Sequence, residues 1–458
     1  MLSNNCINNW VTVFSQGIPG TRQFIATEMK TEVEENATAK AQAIFRLLLH
    51  DYHPRDFAVS LWDGTEWPAE TGPPRFTLFI RHPGFLRRML ARGGNDLPIC
   101  EAFIFGDLDV EGDFEAAISL GNYLINRKWP VTTVMRIGGN LLNMRRANRL
   151  WRKSQHAAKL AGELHSIERD RKAVTFHYDV SNEFHVLWLD QRMVYSCAYF
   201  ETADASLDVA QERKLDYICS KLRLRPGERL LDIGCGWGGL ITHAARKYGV
   251  QALGITLSEN QANLTNERIV RAGLQDRCQV DLVDYRELKG SDRFDKIVSV
   301  GMIEHVGERM LPLYFQRAWH LLRPGGVFLN HGIANRSMDP RPKGPDFTRK
   351  YVFPDGEFVP VNNTLRHAED AGFEVRDVES LREHYTLTLR HWAERLESKR
   401  AEALRLVDDS VYRVWRLFLH GSAYAFSAGL LNLYQVLLLK PIDGQSGLPL
   451  TRADWYRP

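Results

Sequence analysis

Glu304 and His305 stand side by side in the stretch SVGMIEHVG, directly after an apolar segment that we expect to be a strand. A carboxylate can orient a ligand or accept a proton, and an imidazole can transfer one, so this pair could take part in acid–base chemistry. Structural roles also fit the pair by itself, with Glu304 as a helix cap or salt-bridge partner and His305 as a hydrogen-bonded, partly buried ring. Other residues must decide between these interpretations.

A glycine-rich turn, LLDIGCGWGGL, follows another expected strand, and Asp232 precedes its glycines. Gly234, Gly236 and Gly238 alternate with larger residues, whereas the dinucleotide-binding pattern is G-x-G-x-x-G. Alternating glycines after an acidic residue are typical of S-adenosylmethionine-dependent methyltransferases, in which the backbone approaches a methionyl group that carries no phosphate. A glycine turn considered alone could also be only a tight corner.

Polar residues follow the next two expected strands as well. They are Thr256, Ser258 and Gln261 after the second strand, and Asp284, Tyr285 and Arg286 after the third. Ser258 could instead be a simple N-cap of the helix that follows. In a doubly wound sheet the ligand binds at the carboxyl ends of the strands, so polar groups at three successive strand ends predict an S-adenosylmethionine-dependent methyltransferase.

The elements that would position these residues alternate between strand and helix from about residue 173 onward, which predicts an α/β fold with a doubly wound sheet. The first 120 residues mix a helical segment (residues 39–52) with strand-like segments (58–64 and 75–82) and an expected strand and turn at 95–112. We therefore expect a small α+β domain at 1–125, a basic helical connector at 126–172 and a methyltransferase domain at 173–458.

Charge excludes one class of partner. The net charge is only +3, from 59 Lys and Arg against 56 Asp and Glu, so the chain has no overall field suited to nucleic acid. Twelve basic residues nevertheless lie between Arg127 and Lys172, against three acidic ones. This segment, the basic belt, could be a solvated helix face that joins two domains. Because apolar residues alternate with its charges, it could also attach reversibly to an anionic membrane surface.

The cysteine spacing and the hydropathy of the sequence indicate the cellular compartment of the protein and whether a segment could span a membrane. The six cysteines, at 6, 100, 197, 219, 235 and 278, show neither paired spacing nor histidine partners, so we expect no disulfide framework and no metal site. The N-terminal stretch lacks the pattern of a signal peptide, which predicts a cytoplasmic protein. Residues 417–439 are uncharged and long enough to span a bilayer, but polar residues and glycines interrupt them. We expect two buried helical pieces there, or a helix facing an apolar cavity.

Seven motifs together resemble the cyclopropane-fatty-acyl-phospholipid synthases and the mycolic acid cyclopropane synthases. They are HYDVSN at 177–182, YSCAYF at 195–200, LDIGCGWGG at 231–239, GITLSENQ at 254–261, VGMIEHVG at 300–307, HGI at 331–333 and YVFPDG at 351–356. The motifs keep the family's order, and the resemblance extends over residues 175–439. The first 120 residues resemble, more loosely, the additional domain of bacterial members that act on phospholipids.

The resemblance implies a reaction in which S-adenosylmethionine supplies a methylene to the cis double bond of an unsaturated phospholipid acyl chain, through a carbocation deprotonated by bound bicarbonate. The implied cofactor-binding residues are Tyr195, Ser196, Asp232, Gly234, Gly236, Gly238, Thr256, Gln261, Tyr285 and Arg286. The implied catalytic residues around bicarbonate are Cys197, Glu304, His331 and the backbone of Ile333. The resemblance further implies peripheral association with the inner face of the membrane, apolar C-terminal helices that line the acyl pocket, and a homodimer for which the sequence identifies no interface.

One departure from the family pattern concerns a tyrosine that contacts bicarbonate from a late helix. The matching stretch here is expected to be RLFLHGSAYAF, with Leu417 and Phe418 near the tyrosine position and Ser422 in place of a cysteine. Tyr412 and Tyr424 are close by, but neither is in register. Without that tyrosine, the carbocation on the acyl chain could lose a different proton and give a methylene-branched chain.

Three functions therefore remain open from the sequence. The first is cyclopropane synthesis on phospholipid acyl chains, and the second is methylation of the same alkene without ring closure. The third is a lipid-binding homologue that has lost catalysis, which the presence of Glu304, His331 and the glycine turn argues against. A methyltransferase for small molecules would leave the N-terminal domain and the apolar C-terminal segment without a purpose.

Overall fold

The structure, a computed structural model, describes residues 37–91, 96–142, 157–158, 160–178, 180–336 and 346–456. The chain divides into two compact units, Met1–Arg152 and Lys153–Pro458. The N-terminal stretch considered above, and residues 143–156 and 159 of the basic belt, lie outside the described residues. The expected boundaries at 125 and 172 stay predictions.

The first unit is built around a four-stranded sheet. Its strands are β1 (Ala58–Ser60), β2 (Glu66–Trp67), β3 (Phe76–Ile80) and β4 (Leu108–Gly112), in the order β2-β1-β3-β4. Its helices are 37–48, Gly84–Ala91, Leu97–Ile104, Phe114–Asn126 and Val131–Leu142. The mixture of sheet and helices agrees with the α+β class expected from the sequence.

The expectation of a strand that begins near residue 95 is wrong. Leu97–Ile104 is a helix, and only Leu108–Gly112 is a strand. Pro98 lies in the first turn of that helix, where backbone N–H groups have no intrahelical acceptor. The missing N–H of proline therefore costs no hydrogen bond there. The apolar residues 97–104 suit either element, because hydrophobic periodicity over so few residues does not distinguish a short buried helix from a strand.

The second unit contains a seven-stranded sheet with the order β10-β11-β9-β8-β5-β6-β7. The five strands expected from the sequence pair in parallel. Beside β9, β11 runs antiparallel to them, and β10 pairs antiparallel with β11. The strands are β5 (Arg229–Ile233), β6 (Gln251–Thr256), β7 (Cys278–Leu282), β8 (Phe294–Val300), β9 (Leu322–Asn335), β10 (Glu374–Ser380) and β11 (Leu431–Leu439). This is the doubly wound sheet that the alternating elements predict.

Helices cover both faces of this sheet through two apolar clusters. One cluster joins the sheet to Leu207–Leu222, Gly239–Tyr248 and Glu259–Arg271, and the other joins it to Leu311–Leu321 and Val361–Asp370. The remaining helices are Ile167–Tyr178, Asn182–Val186, Ile303–Val306, Asp346–Tyr351, Arg382–Ser398, Arg400–Leu406 and Asp409–Ser427, with 3-10 turns at Glu308–Met310 and Ala453–Trp455. Helices on both faces explain why strand β8 is buried at six of its seven positions, without alternation.

Residues 417–439 do not form two helical pieces. The helix Asp409–Ser427 ends before Gly429, which has a φ of +63°, and the chain then forms β11. Strand β11 lies between β9 and β10, so neighbouring strands satisfy its backbone polar groups. Its apolar, uncharged character therefore reflects an interior strand. Among the described helices, none has both the length and the hydropathy that crossing a membrane requires.

Candidate active site

The turn after β5 depends on its glycines. Gly234, Gly236 and Gly238 have φ values of +87°, +54° and +76°, a region that other residues rarely adopt. A Cβ atom on Gly238 would lie 2.4 Å from Cγ2 of Thr265. The turn therefore brings bare backbone to the carboxyl end of the sheet.

A cleft with about 1100 Å³ of empty space opens at this edge. Nine of the ten cofactor-binding residues expected from the sequence line it, and Gly238 does not. The nine are Tyr195, Ser196, Asp232, Gly234, Gly236, Thr256, Gln261, Tyr285 and Arg286. Residues from the ends of three strands, β5, β6 and β7, thus meet at one site, as parallel strands require.

A carboxyl group and an ammonium group lie in the floor of the cleft. Asp232 is buried, and its Oδ1 atom has no hydrogen-bond partner among the described residues. Burial raises the pKa of Asp232 to about 7, although Lys214 opposes the rise. Lys214 Nζ lies 2.9 Å from Oγ of Ser196, and burial lowers the pKa of this lysine to about 8. Asp232 is thus an unsatisfied acceptor at the cleft.

The other end of the cleft is held by Arg286. Its Nε atom donates to Oδ1 of Asp284 at 2.7 Å, and its NH2 group donates to Oδ2 of Asp170 at 2.8 Å. Beneath this end, Oγ1 of Thr256 donates to Oε1 of Gln261 at 2.7 Å. Ser258 caps the next helix by accepting from the backbone N–H of Gln261. The side chains expected from the sequence are present, but Ser258 has the structural role.

Glu304 lies on a short helix, Ile303–Val306, that follows β8. Its Oε1 atom accepts a hydrogen bond of 2.6 Å from the backbone N–H of Ile333, and its buried Oε2 atom has no partner among the described residues. Burial raises the pKa of Glu304 to about 7, while the bond from Ile333 opposes the rise. His305 lines the cleft, and burial lowers its pKa to about 4.

His331 and Cys197 complete the group expected around the anion. Nδ1 of His331 lies 3.1 Å from Nε2 of Gln435, and its buried Nε2 has no partner among the described residues. Burial lowers the pKa of His331 well below 6.5, so the ring is neutral. The Cys197 thiol is fully buried, and burial raises its pKa.

The four residues expected around the anion are close to the cleft but do not line it. They are Cys197, Glu304, His331 and Ile333. Tyr178 links the two groups, because it lines the cleft and its phenol interacts with the Glu304 carboxyl group. The peptide oxygen of Leu381 lies 3.8 Å from Sγ of Cys197, and the N–H of Leu381 bonds to the strand that pairs with Ile333. Cys197, Glu304 and Ile333 are therefore connected through one end of the sheet.

Tyr385, on the helix Arg382–Ser398, is not among the residues expected from the sequence. Burial raises the pKa of Tyr385 well above 10, and the nearby Cys197, Glu304 and Tyr178 raise it further. Tyr385 therefore interacts electrostatically with Glu304, although it lies outside the stretch near Leu417 in which the family's tyrosine was expected. The signal was the stretch REHYTLTLRHW, in which polar and apolar residues alternate at helical spacing.

Tyr412, considered above as a substitute, has a different environment. Its ring lies 5.7 Å from the guanidinium carbon of Arg400, and its charged neighbours are Arg416, Glu397 and Asp409. None of these is a site residue. Of the two C-terminal tyrosines, Tyr385 and not Tyr412 therefore interacts with Glu304.

Aromatic rings enclose the same region. The ring centroid of Tyr195 lies 5.2 Å from that of Trp392 and 5.4 Å from that of Trp188, and the two tryptophans are fully buried. Nε1 of Trp237 donates to Oδ1 of Asn182 at 2.7 Å. Electron-rich ring faces can stabilise a cation while they exclude water.

Comparison with known proteins identifies the family of this chain. The family model described as mycolic acid cyclopropane synthetase matches residues 165–436, which is more than half of the chain. The chain belongs to this family. It is therefore an S-adenosylmethionine-dependent methyltransferase of the cyclopropane synthase family that modifies lipids.

Two curated relatives differ in the reaction that their names give. A probable fatty acid methyltransferase from Pseudomonas putida is 42% identical over 87% of this chain and 96% of its own length. The cyclopropane-fatty-acyl-phospholipid synthase of Escherichia coli K12 is 33% identical over 74% of this chain and 86% of its own length.

Solved structures confirm the fold of the second unit. The cyclopropane synthase MmaA2 from Mycobacterium tuberculosis has a TM-score of 0.56 and 33% identity, over 58% of this chain and 97% of that one. The mycolic acid cyclopropane synthase CmaA1, solved with S-adenosylhomocysteine and CTAB, has the same TM-score and 34% identity, over 58% of this chain and 97% of that one.

Proposed function

We propose that the protein forms a cyclopropane ring across the cis double bond of an unsaturated phospholipid acyl chain. The observation that carries the proposal is the group formed by Cys197, Glu304, His331, Ile333 and Tyr385. It offers hydrogen-bond donors and one carboxyl group in a buried place beside the cofactor cleft. Such a group suits an anion held next to a developing positive charge.

The cleft fits S-adenosylmethionine by the chemistry of its lining. The glycine turn leaves room for the ligand, and a methyl group at Gly238 would collide with Thr265. Oδ1 of Asp232 is a buried acceptor without a partner among the described residues. We propose that Asp232 accepts from the cationic methionyl end of the cofactor, while Tyr285 and Arg286 lie at its adenosine end.

The anion site fits bicarbonate for a similar reason. Nε2 of His331 and Oε2 of Glu304 are both buried and both lack partners among the described residues. Buried polar atoms are costly unless a ligand or water satisfies them. We propose that His331 and Tyr385 donate hydrogen bonds to bicarbonate and that Glu304 accepts a hydrogen bond from the O–H of bicarbonate. Cys197 closes the site.

When bound, S-adenosylmethionine supplies an electrophilic methyl group and bicarbonate supplies a base. Transfer of the methyl would break its bond to sulfur, with S-adenosylhomocysteine as the leaving group, and would form a carbon–carbon bond at the alkene that leaves a positive charge on the acyl chain. Loss of one proton from the delivered methyl to the base would then close the ring. Burial around Cys197 and Glu304 excludes water that would add to the cation. Glu304 and His331 keep the base oriented toward that methyl, and Tyr195 and Trp392 present ring faces to the charge.

A second cavity, with about 1150 Å³ of empty space, suits the acyl chain. Val411, Val414 and Trp415 of the helix Asp409–Ser427 line it together with His177. The ring of His177 lies 5.6 Å from that of Tyr195, which lines the cofactor cleft. We propose that this cavity holds the apolar chain and that the double bond reaches the methyl group near Tyr195.

We also propose that the first unit attaches the protein to the inner face of the membrane. On the helix Val131–Leu142, an apolar face is exposed: Val131, Val134, Met135 and Leu142 are 69%, 53%, 70% and 79% exposed. Their spacing puts them on one side of the helix. Basic residues of the belt precede and follow this helix in the sequence, so we propose that apolar insertion and attraction to anionic lipid act together. A homodimer stays a prediction.

A second function, methylation of the alkene without ring closure, is favoured by the printed name of the Pseudomonas putida relative. Its product would carry a methylene or methyl branch at the former double bond. A methylene branch forms when a hydride shift moves the positive charge to the carbon that carries the new methyl, and that methyl then loses a proton. A methyl-branched alkene forms when a neighbouring carbon of the chain loses the proton instead. Ring closure therefore differs from both in where the charge lies when the proton leaves.

Product analysis distinguishes the two functions. The full chain is incubated with S-adenosylmethionine, bicarbonate and vesicles of a cis-monounsaturated phospholipid, and the extracted lipid is examined by proton NMR. We expect the upfield signals of a cyclopropane methylene, whereas vinylic methylene signals would establish the second function. Mass alone does not decide, because ring and methylene branch have the same formula. Absence of S-adenosylhomocysteine despite cofactor binding would indicate a non-catalytic lipid-binding protein.

A further inference from the structure

Three buried side chains from three elements form a hydrogen-bonded series that ends at His331. Nζ of Lys221, on the helix Leu207–Leu222, lies 2.9 Å from Oε1 of Gln435 on β11. Nε2 of Gln435 lies 3.1 Å from Nδ1 of His331 on β9, and the two residues are paired across the strands. Each of the three residues is at most 1% exposed.

The direction of each hydrogen bond follows from the chemistry of the groups. A lysine ammonium only donates, so the amide oxygen of Gln435 must face Lys221. The NH2 group of Gln435 then faces His331 and can only donate to it. Nδ1 of His331 must therefore present a lone pair, which leaves the ring proton on Nε2.

Other groups prevent this arrangement from reversing. Lys221 also bonds to Glu379, and its Nζ lies 3.6 Å from Oδ2 of Asp377. These carboxylates hold the Lys221 side chain in place, so the amide of Gln435 cannot rotate without facing two donors toward each other. The neutral ring of His331 then has only one tautomer available.

We infer that Gln435 is a positioning residue that, held by Lys221, fixes His331 as the Nε2–H tautomer and so presents a donor to the bound anion. The inference rests on the proposed function, because it explains how His331 holds that anion. It adds two residues, neither of which lines the cofactor cleft. Nε2 of His331 is buried and has no protein partner among the described residues, as a donor reserved for a ligand should be.

Histidine-selective nitrogen-15 NMR of the full chain reports the tautomer directly. The His331 signals are assigned as those missing from His331→Gln. We expect an unprotonated Nδ1 and a protonated Nε2 in the parent protein. Gln435→Glu puts an acceptor against Nδ1 and should protonate it, and Gln435→Leu should leave a mixture of tautomers. A protonated Nδ1 in the parent, or an unchanged Nδ1 in both variants, would overturn the inference.

Turnover measurements with unsaturated phospholipid vesicles test the consequence for catalysis. Gln435→Leu should lower kcat about 100-fold, the usual effect of losing one oriented donor, with KM for S-adenosylmethionine nearly unchanged. Gln251→Leu, an exposed glutamine at the opposite end of the sheet, is the matched control and should keep full activity. A mixed tautomer with unchanged kcat would refute the positioning role.

The same variants separate this inference from the proposed function. If His331→Gln keeps full turnover, His331 has no part in the reaction, and both the anion site and the positioning role fail. If His331→Gln is inactive while Gln435→Leu is fully active, the proposed function stands and the inference on Gln435 fails. Circular dichroism of each variant excludes loss of the fold as the cause.

Discussion

Burial determines the protonation of the acidic groups at the site. Asp232 and Glu304 are each 2% exposed, and burial raises the pKa of each to about 7. An acid with such a pKa changes its charge within the range of cellular pH, so a bound cation or hydrogen-bond donor can decide its state. By contrast, burial keeps His331 neutral. The site thus combines acids that can ionise with an imidazole that cannot.

The raised pKa of Glu304 predicts how stability depends on pH. In the folded protein Glu304 keeps its proton up to about pH 7, whereas in the unfolded chain it loses the proton near pH 4.5. The folded state therefore loses stability between these values as pH rises. Relative to Glu304→Gln, the parent should lose about 2–3 kcal/mol of unfolding free energy between pH 5 and pH 8.

Denaturant unfolding of both proteins at several pH values, without ligands, measures this difference. Comparing the two chains cancels the contribution of the buried histidines, whose lowered pKa values act in the opposite direction. If the two stability curves are parallel, Glu304 does not titrate in this range. Glu304→Gln should also retain cofactor binding and lose most of its product formation.

Tyr385 gives the second prediction at the residue scale. If its hydroxyl donates to the anion, Tyr385→Phe should lower the rate of cyclopropane formation about 100-fold. Tyr412→Phe is the matched control, because it also removes a tyrosine hydroxyl from a C-terminal helix, and it should be near parent activity. Lipid NMR should be applied to both. Equal loss in the two variants, or a loss confined to Tyr412→Phe, would contradict the assignment.

At the scale of elements, the site is assembled by neighbours in space that are distant in sequence. Strand β11 supplies Gln435 beside His331, and the helix Arg382–Ser398 supplies Tyr385 beside Glu304. Both elements come late in the chain, while the glycine turn comes more than 140 residues earlier than Tyr385. The antiparallel strand β11 and a late helix therefore both contribute to the site.

The glycine turn gives a prediction at this scale. Gly238→Ala should destabilise the protein by more than Gly273→Ala, although both residues have positive φ values of +76° and +65°. The change at Gly273 meets nothing within 4 Å and should cost about 1 kcal/mol from the backbone alone. The change at Gly238 adds a collision with Thr265 and should also weaken cofactor binding.

Thermal unfolding and calorimetric titration with S-adenosylhomocysteine measure the two effects. We expect normal cofactor affinity for Gly273→Ala and reduced affinity for Gly238→Ala. Similar stability and affinity in both variants would show that the contact with Thr265 has no part in shaping the turn.

At the scale of the whole molecule, the proposed substrate would explain why the chain carries more than a methyltransferase unit. A double bond in mid-chain lies roughly nine methylenes from the headgroup, and exposing these to water would cost about 7 kcal/mol. Docking on the bilayer avoids that cost. The exposed apolar face of the helix Val131–Leu142 and the adjoining basic belt have the features of such a docking surface.

The double variant Val134→Glu/Met135→Glu tests the docking surface. It should lower affinity for vesicles that contain anionic phospholipid by about tenfold or more, because it replaces inserted apolar groups by repelled charges. Val270→Glu, at an exposed valine of the second unit, should bind as the parent does. Sedimentation with vesicles, at low and high salt, measures binding. Equal binding by all three proteins would place the docking surface elsewhere.

The sequence by itself determined the local parts of this protein. Alternating glycines after Asp232, and the order of strands and helices from residue 173, depend on neighbouring residues and were therefore readable. Short apolar segments were not, because residues 97–104 and 431–439 have compositions that suit either helix or strand. Their type was decided by what packs against them.

Only the tertiary structure decided how the site is completed. Tyr385 was overlooked because its register to Glu304 depends on how the helix Arg382–Ser398 packs on the sheet. The series from Lys221 through Gln435 to His331 joins residues up to 214 positions apart, and no local pattern marks it. The side chains of Gln435 and His331 can form a hydrogen bond only when the sheet order places β11 beside β9. That order, with an antiparallel strand beside β9, is a property of the fold.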